Sequence, residues 1–98
     1  GAANLQRGAE SVGGALLLTD RRLVFEPHGL NLHTRPEEIP LDGVRGVRAC
    51  WTRLLGVLPV APNAIEVRTW DGARHRFVVF DRNAWIEAIR AHAGEAVA

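Results

Sequence analysis

Over residues 1–80 the chain is interrupted by Gly, Pro, Asp or Asn roughly every eight to twelve residues, and the apolar runs between interruptions are short. That spacing restricts this part of the chain to short antiparallel strands. One stretch breaks the rhythm. In "DRNAWIEAIRAHAGEA" (residues 81–96), Trp85, Ile86, Ile89 and Ala93 share one stripe at helical spacing, with Asp81 placed to cap the start and Gly94 to stop the end. Arg90 and His92 suit the negative pole of the helix dipole. The expected organisation is one domain over residues 1–98, with about seven strands over roughly 3–80 and one helix over roughly 82–93. A curled antiparallel sheet of that size must close or nearly close to hide its edges, and an amphipathic helix is well placed to plug an open end.

Two hairpins can be set in register. In "AIEVRTWDGARHRFVVF" a two-residue Asp71-Gly72 turn would mix apolar and charged residues on both faces. A three-residue loop of Trp70, Asp71 and Gly72 instead puts Gly72 where a type I turn plus bulge needs a left-handed residue. Ile65 then faces Phe77, Val67 faces His75, Arg68 faces Arg74, and Glu66 faces Arg76 on the wet side. This register keeps one face dry and is the one expected. In "GGALLLTDRRLVFEP" a turn at Asp20-Arg21 sets Leu16 and Leu18 against Leu23 and Phe25 inward, with Leu17 and Val24 on the other face. Pro27 ends that second strand, and "EIPL" and "VRGVRAC" supply two more around an Asp42-Gly43 turn.

A chain of 98 residues offers one core and no interdomain cleft, which argues against an enzyme. All twelve basic residues are arginine, yet formal net charge is only +1, so any basic site must be local. Cys50 is the sole cysteine, which excludes an internal disulfide and points to a reducing, cytoplasmic compartment. No signal peptide is visible at the start. No apolar run is long enough to span a bilayer. The sequence has no methionine, so Gly1 reads as a processed end or a boundary within a longer chain.

The segment "CWTRLLGVLPVAPN" (residues 50–63) is the least expected. It gathers Trp51, Leu54, Leu55, Val57, Leu58 and Val60, while Pro59 and Pro62 forbid a helix or an interior strand along its whole length. It is expected to be a surface loop between the fifth and sixth strands. Three uses remain open. The leucines could close a barrel end. Alternatively, Trp51, Leu54 and Leu55 could dip into a lipid interface while Arg48 and Arg53 sit among headgroups. A protein partner or a second copy of the chain could cover the same apolar surface.

The runs "ANLQRGAESVGGALLLTDRRLVFEPH", "IPLDGVRGV" and "DGARHRFVVFDRNAWIEAIR" resemble a GRAM domain of the short bacterial type over nearly the whole chain. The resemblance implies a mainly β, pleckstrin-homology-like fold: a seven-stranded antiparallel barrel or split barrel capped by a C-terminal α-helix. It also implies a non-enzymatic adaptor associated with anionic membrane lipids or protein partners. In lipid-binding pleckstrin-homology domains the first inter-strand loop is typically basic. Here that loop is expected to be "RGAESVGG", with Arg7 but also Glu10 and no dense basic cluster.

Candidate anionic-lipid contacts are therefore Arg48 and Arg53 beside Trp51, Leu54 and Leu55, the Arg21-Arg22 hairpin tip, and Arg68 with Arg74, a like-charged facing pair that asks for an anion. The competing assignment is a solvated face with ion pairs such as Glu66 to Arg76. His28 and His33 with Glu26 match no metal-site spacing, Cys50 has no activating neighbour, and His75 is expected to point inward. No cofactor is expected. Nucleic acid is disfavoured because Phe25, Phe77, Phe80 and Trp85 are assigned to the core or the helix seam, leaving only Trp51 and Trp70 to stack on bases. The expected location is cytoplasmic, at the periphery of the inner membrane.

Overall fold

The structure, a computed structural model, describes residues 1–7, 10–28, 36–54 and 58–93. Seven strands, β1 (Ala2–Arg7), β2 (Glu10–Leu18), β3 (Arg22–Pro27), β4 (Glu37–Pro40), β5 (Val44–Leu54), β6 (Leu58–Thr69) and β7 (Arg74–Val79), are followed by helix α1 (Arg82–Ala93). They form one antiparallel sheet in the order β4-β3-β2-β1-β7-β6-β5. It curls into a half-barrel whose concave face is closed by α1, which is the expected pleckstrin-homology-like architecture.

Both expected hairpin registers are present. Leu16 pairs with Phe25, Leu17 with Val24 and Leu18 with Leu23. The turn between them needs no left-handed residue, because neither Asp20 nor Arg21 has a positive φ. Instead the Thr19 hydroxyl oxygen accepts the amides of Arg21 and Arg22 at 3.2 and 3.0 Å. At the other hairpin Ile65 pairs with Phe77, Glu66 with Arg76, Val67 with His75 and Arg68 with Arg74. Gly72 has φ 90°, as the three-residue loop demands. The Thr69 amide donates to the Ala73 carbonyl at 3.0 Å, and the Trp70 amide ties the loop to the Gly43 carbonyl at 3.0 Å.

Alternation on these strands delivers Leu5, Leu16, Leu23, Phe25, Ile39, Val47, Ile65, Val67 and Phe77 to the concave side, all essentially buried. Ile86 and Ile89 of α1 complete the core, with Trp85 and Ala93 partly buried against it. The Phe25 and Phe77 rings meet at 5.8 Å between centroids, in a tilted arrangement. Gly14 makes this packing possible: a Cβ there would lie 2.3 Å from the Glu26 carbonyl oxygen and 2.6 Å from the Phe25 ring. His75 shares the inner side of β7 but is only half-buried.

Asp81 starts the helix from a left-handed backbone (φ 52°), a conformation Asp tolerates better than most residues, and its Oδ1 accepts the Ala84 amide at 3.4 Å. Two arginines of α1 tie the helix to β5, the edge strand: Arg82 donates to the Cys50 carbonyl and Arg90 to the Val47 carbonyl, each at 2.9 Å. The Gly94 stop lies outside the described residues.

Three expectations are corrected. Residues 50–63 are mostly not a loop: β5 runs to Leu54 and β6 starts at Leu58, so both prolines lie within a strand. They are tolerated because, among the described residues, β7 pairs with β6 only over residues 64–68, leaving residues 58–63 with β5 as their strand partner. The ladder also shifts register between Cys50 and Thr52, leaving Pro62 without a ladder partner. Likewise the described positions of "RGAESVGG", 7 and 10–14, are strand rather than loop, with Arg7 paired to Glu10. Finally, Phe80 is 82% exposed and is no part of the core. The left-handed turn at Asp81 redirects the chain immediately after it.

Candidate binding surface

Trp51 sits on β5 opposite a bulge in β6, where the ladder gives it no regular partner, and it is 50% exposed. The site is braced from both sides. Arg82 holds the Cys50 carbonyl, and the Thr52 hydroxyl bonds the Asn63 side chain across the strand pair. A large apolar ring is thus presented to solvent by an anchored backbone, the arrangement that interfacial tryptophans use. Leu55 lies outside the described residues, and so do the side chains of Arg53 and Leu54.

The convex side of the same strands carries charge. Alternation and pairing put Arg48, Glu66, Arg76 and Gln6 in one row across β5, β6, β7 and β1. The adjacent row is Gly46, Arg68 and Arg74. Four arginines therefore surround one carboxylate, a local surplus of three positive charges. Glu66 is only 3% exposed, which corrects its expected place on a wet face. The long arginine stems lie over it and shut out water.

Its partners are Arg48 Nη2, 3.0 Å from Oε1, and Arg76 Nη2, 3.5 Å from Oε2. The Arg48 contact is close enough to neutralise charge but not aligned to hydrogen-bond, since Oε1 has no hydrogen-bond partner. Arg48 is half open to solvent, so screening limits what that pair contributes to about 1 kcal/mol. Arg76 is mostly covered and matters more. Meanwhile Arg68 Nε and Arg76 Nε are both shielded from water without an acceptor. Cys50 stands in the next position along the same side of β5, half-buried, and burial pushes its thiol above the ordinary value against the opposing pull of Arg76.

The Arg21-Arg22 tip is not part of this surface. In the sheet order β1, β7 and β6 intervene between the β2–β3 hairpin and β5. Arg22 pairs with Glu38 at 3.5 Å, both half-exposed. A shallow cavity of 640 Å³ there is lined by Asp20, Arg21, Arg22, Glu38 and Asp42, so acidic groups offset the two arginines. Arg45 lies 5.7 Å over the exposed Trp70 ring, a cation–π contact that occupies both. The sequence reasoning missed a second apolar area, where Phe80 and the 43% exposed Leu17 flank a groove floored by Ala84, Trp85 and Ala88.

Among the described residues no cluster of three or more His, Cys, Asp or Glu side chains could hold a metal. Among them, too, no helix is long and apolar enough to cross a membrane. No protein-family model matches the sequence, and no curated protein does either. A solved structure of similar fold is the crystal structure of the C-terminal domain of an unknown protein from Leishmania infantum. It superposes with a TM-score of 0.75 at 18% identity, over 94% of this chain and 78% of that one. At that identity the likeness is one of fold.

Proposed function

We propose that the chain is a GRAM-type, pleckstrin-homology-like adaptor module without enzymatic activity, attached peripherally to an anionic membrane on the cytoplasmic side. One observation carries this: an exposed Trp51 on an anchored strand whose convex face carries three surplus positive charges. Trp51 supplies the apolar contact together with Leu54 and Leu55, and Arg48 and Arg53 the electrostatic one, with Arg68 and Arg74 extending the charged field. Burying the exposed part of one tryptophan contributes about 2 kcal/mol and each arginine near an anionic surface about 1 kcal/mol. Such attachment is weak, reversible and sensitive to salt. The Arg21-Arg22 tip is a lesser contributor because of its acidic neighbours.

The groove beside Phe80 and Leu17 favours a second use, docking of a protein partner or a second copy through an apolar surface. Flotation with neutral and anionic vesicles at low and high salt separates the two. Membrane attachment predicts binding to anionic vesicles that salt weakens and Trp51→Ser abolishes. Association through Phe80 predicts no flotation, and a salt-insensitive larger species that Phe80→Ser dissolves.

A further inference from the structure

We propose that the convex face of β6 and β7 binds a phosphomonoester-class dianion between Arg68, Arg74 and Arg76. This goes beyond membrane attachment, because the phosphate could belong to a lipid headgroup or to a soluble molecule. The charge arrangement is unfinished without an acceptor. Arg68 and Arg74 are directly paired across the two strands, a juxtaposition that like charges disfavour. On its other side Arg68 faces Gly46, which offers no side chain at all. The nearby carboxylate, Glu66, is already engaged by Arg48 and Arg76.

The donors are also in place. Arg68 Nε and Arg76 Nε are removed from water and unpartnered, and a buried donor without an acceptor is a standing cost that an incoming oxygen removes. Glu66 holds Arg76 through Nη2, so a ligand oxygen reaches Nε only as the covering side chains part over it. Arg74 is exposed and adds a third fork. Three guanidinium groups match the three free oxygens of a phosphomonoester, whereas a carboxylate offers two oxygens and half the charge.

The test uses the 15N-labelled protein and follows arginine Nε–H signals while inorganic phosphate is added at constant ionic strength, with acetate as the control. The expected result is a saturable shift of the Arg68 and Arg76 signals with phosphate alone. Arg74→Gln should weaken it about tenfold. Arg22→Gln makes the same charge change outside the cluster and should alter affinity less than about twofold. Signals that move equally with acetate, or equal weakening by both variants, would overturn the site. Phosphatidylcholine vesicles containing phosphatidic acid identify the source. Flotation lost in Arg74→Gln assigns a lipid phosphate. Saturation by free phosphate without flotation keeps the site for a soluble ligand and removes membrane attachment. Flotation that needs Trp51 but is indifferent to Arg74→Gln, with no response to free phosphate, keeps membrane attachment and removes the site.

Discussion

Strand β6 belongs to two hairpins that obey different rules. Over residues 64–68 it lies between β5 and β7, alternates regularly and sends Ile65 and Val67 into the core. Over residues 58–63 it has only β5 beside it, carries two prolines and pairs through register shifts. The same strand is thus interior at one end and edge at the other. Proline tolerance depends on how many neighbours a residue has, not on the name of the element holding it. The regular half stores stability, and opposite the irregular half β5 presents Trp51 to solvent.

Four changes, from the largest effect to the smallest, sharpen or break that contrast. Phe77→Ala removes the ring against Phe25 from the regular half and should cost about 3–5 kcal/mol, read from urea unfolding. Glu66→Ala strips the carboxylate from beneath its arginines and should cost about 2–3 kcal/mol, less than a fully buried pair because Arg48 reaches solvent. Gly72→Ala forces a Cβ into a left-handed turn and should cost about 1–2 kcal/mol. Pro59→Ala, in the half with one neighbour, should change stability by less than about 1 kcal/mol. If Pro59→Ala proves as damaging as Gly72→Ala, the division of labour within β6 is wrong.

Acid gives the mildest test. The Thr69 hydroxyl and then the Ala73 amide hydrogen-bond Asp71 and hold its carboxyl below the ordinary value of 3.8. A depressed carboxylate stabilises the fold above that value and loses the contribution as pH falls through its lower folded range. The stability difference between wild type and Asp71→Asn should therefore be constant near neutrality and shrink only below about pH 4.

The parts that could be read from the chain were those where local chemistry and burial agree. Gly72 and the alternation around it admit one dry register, and the Trp85, Ile86, Ile89 stripe admits one helix face. What escaped depends on distant neighbours. Alternation puts Glu66 on the convex face but does not reveal that arginine stems from β5 and β7 cover it. The Arg21-Arg22 tip was read with Asp20 as its one acidic neighbour, because Glu38 and Asp42 arrive from other elements. Phe80 was assigned to the core because nothing in its immediate sequence announces the left-handed Asp81 that turns the chain away. For the candidate surface, Trp51, Arg48, Arg68 and Arg74 were legible as residue types in a pattern. The pairing of Arg76 with Glu66 was legible too, but the covering of its Nε was not, since that follows only once three strands are side by side.

The two guanidinium groups that α1 places on the β5 carbonyls have a consequence for recognition. A partner laying a strand along β5 would meet the arms of Arg90 and Arg82 already anchored to that strand, and the opposite edge, β4, is four residues long and ends in Pro40. A fold that terminates itself in this way leaves contact with other molecules to its side chains. Its specificity can then be rewritten one residue at a time, with the scaffold untouched.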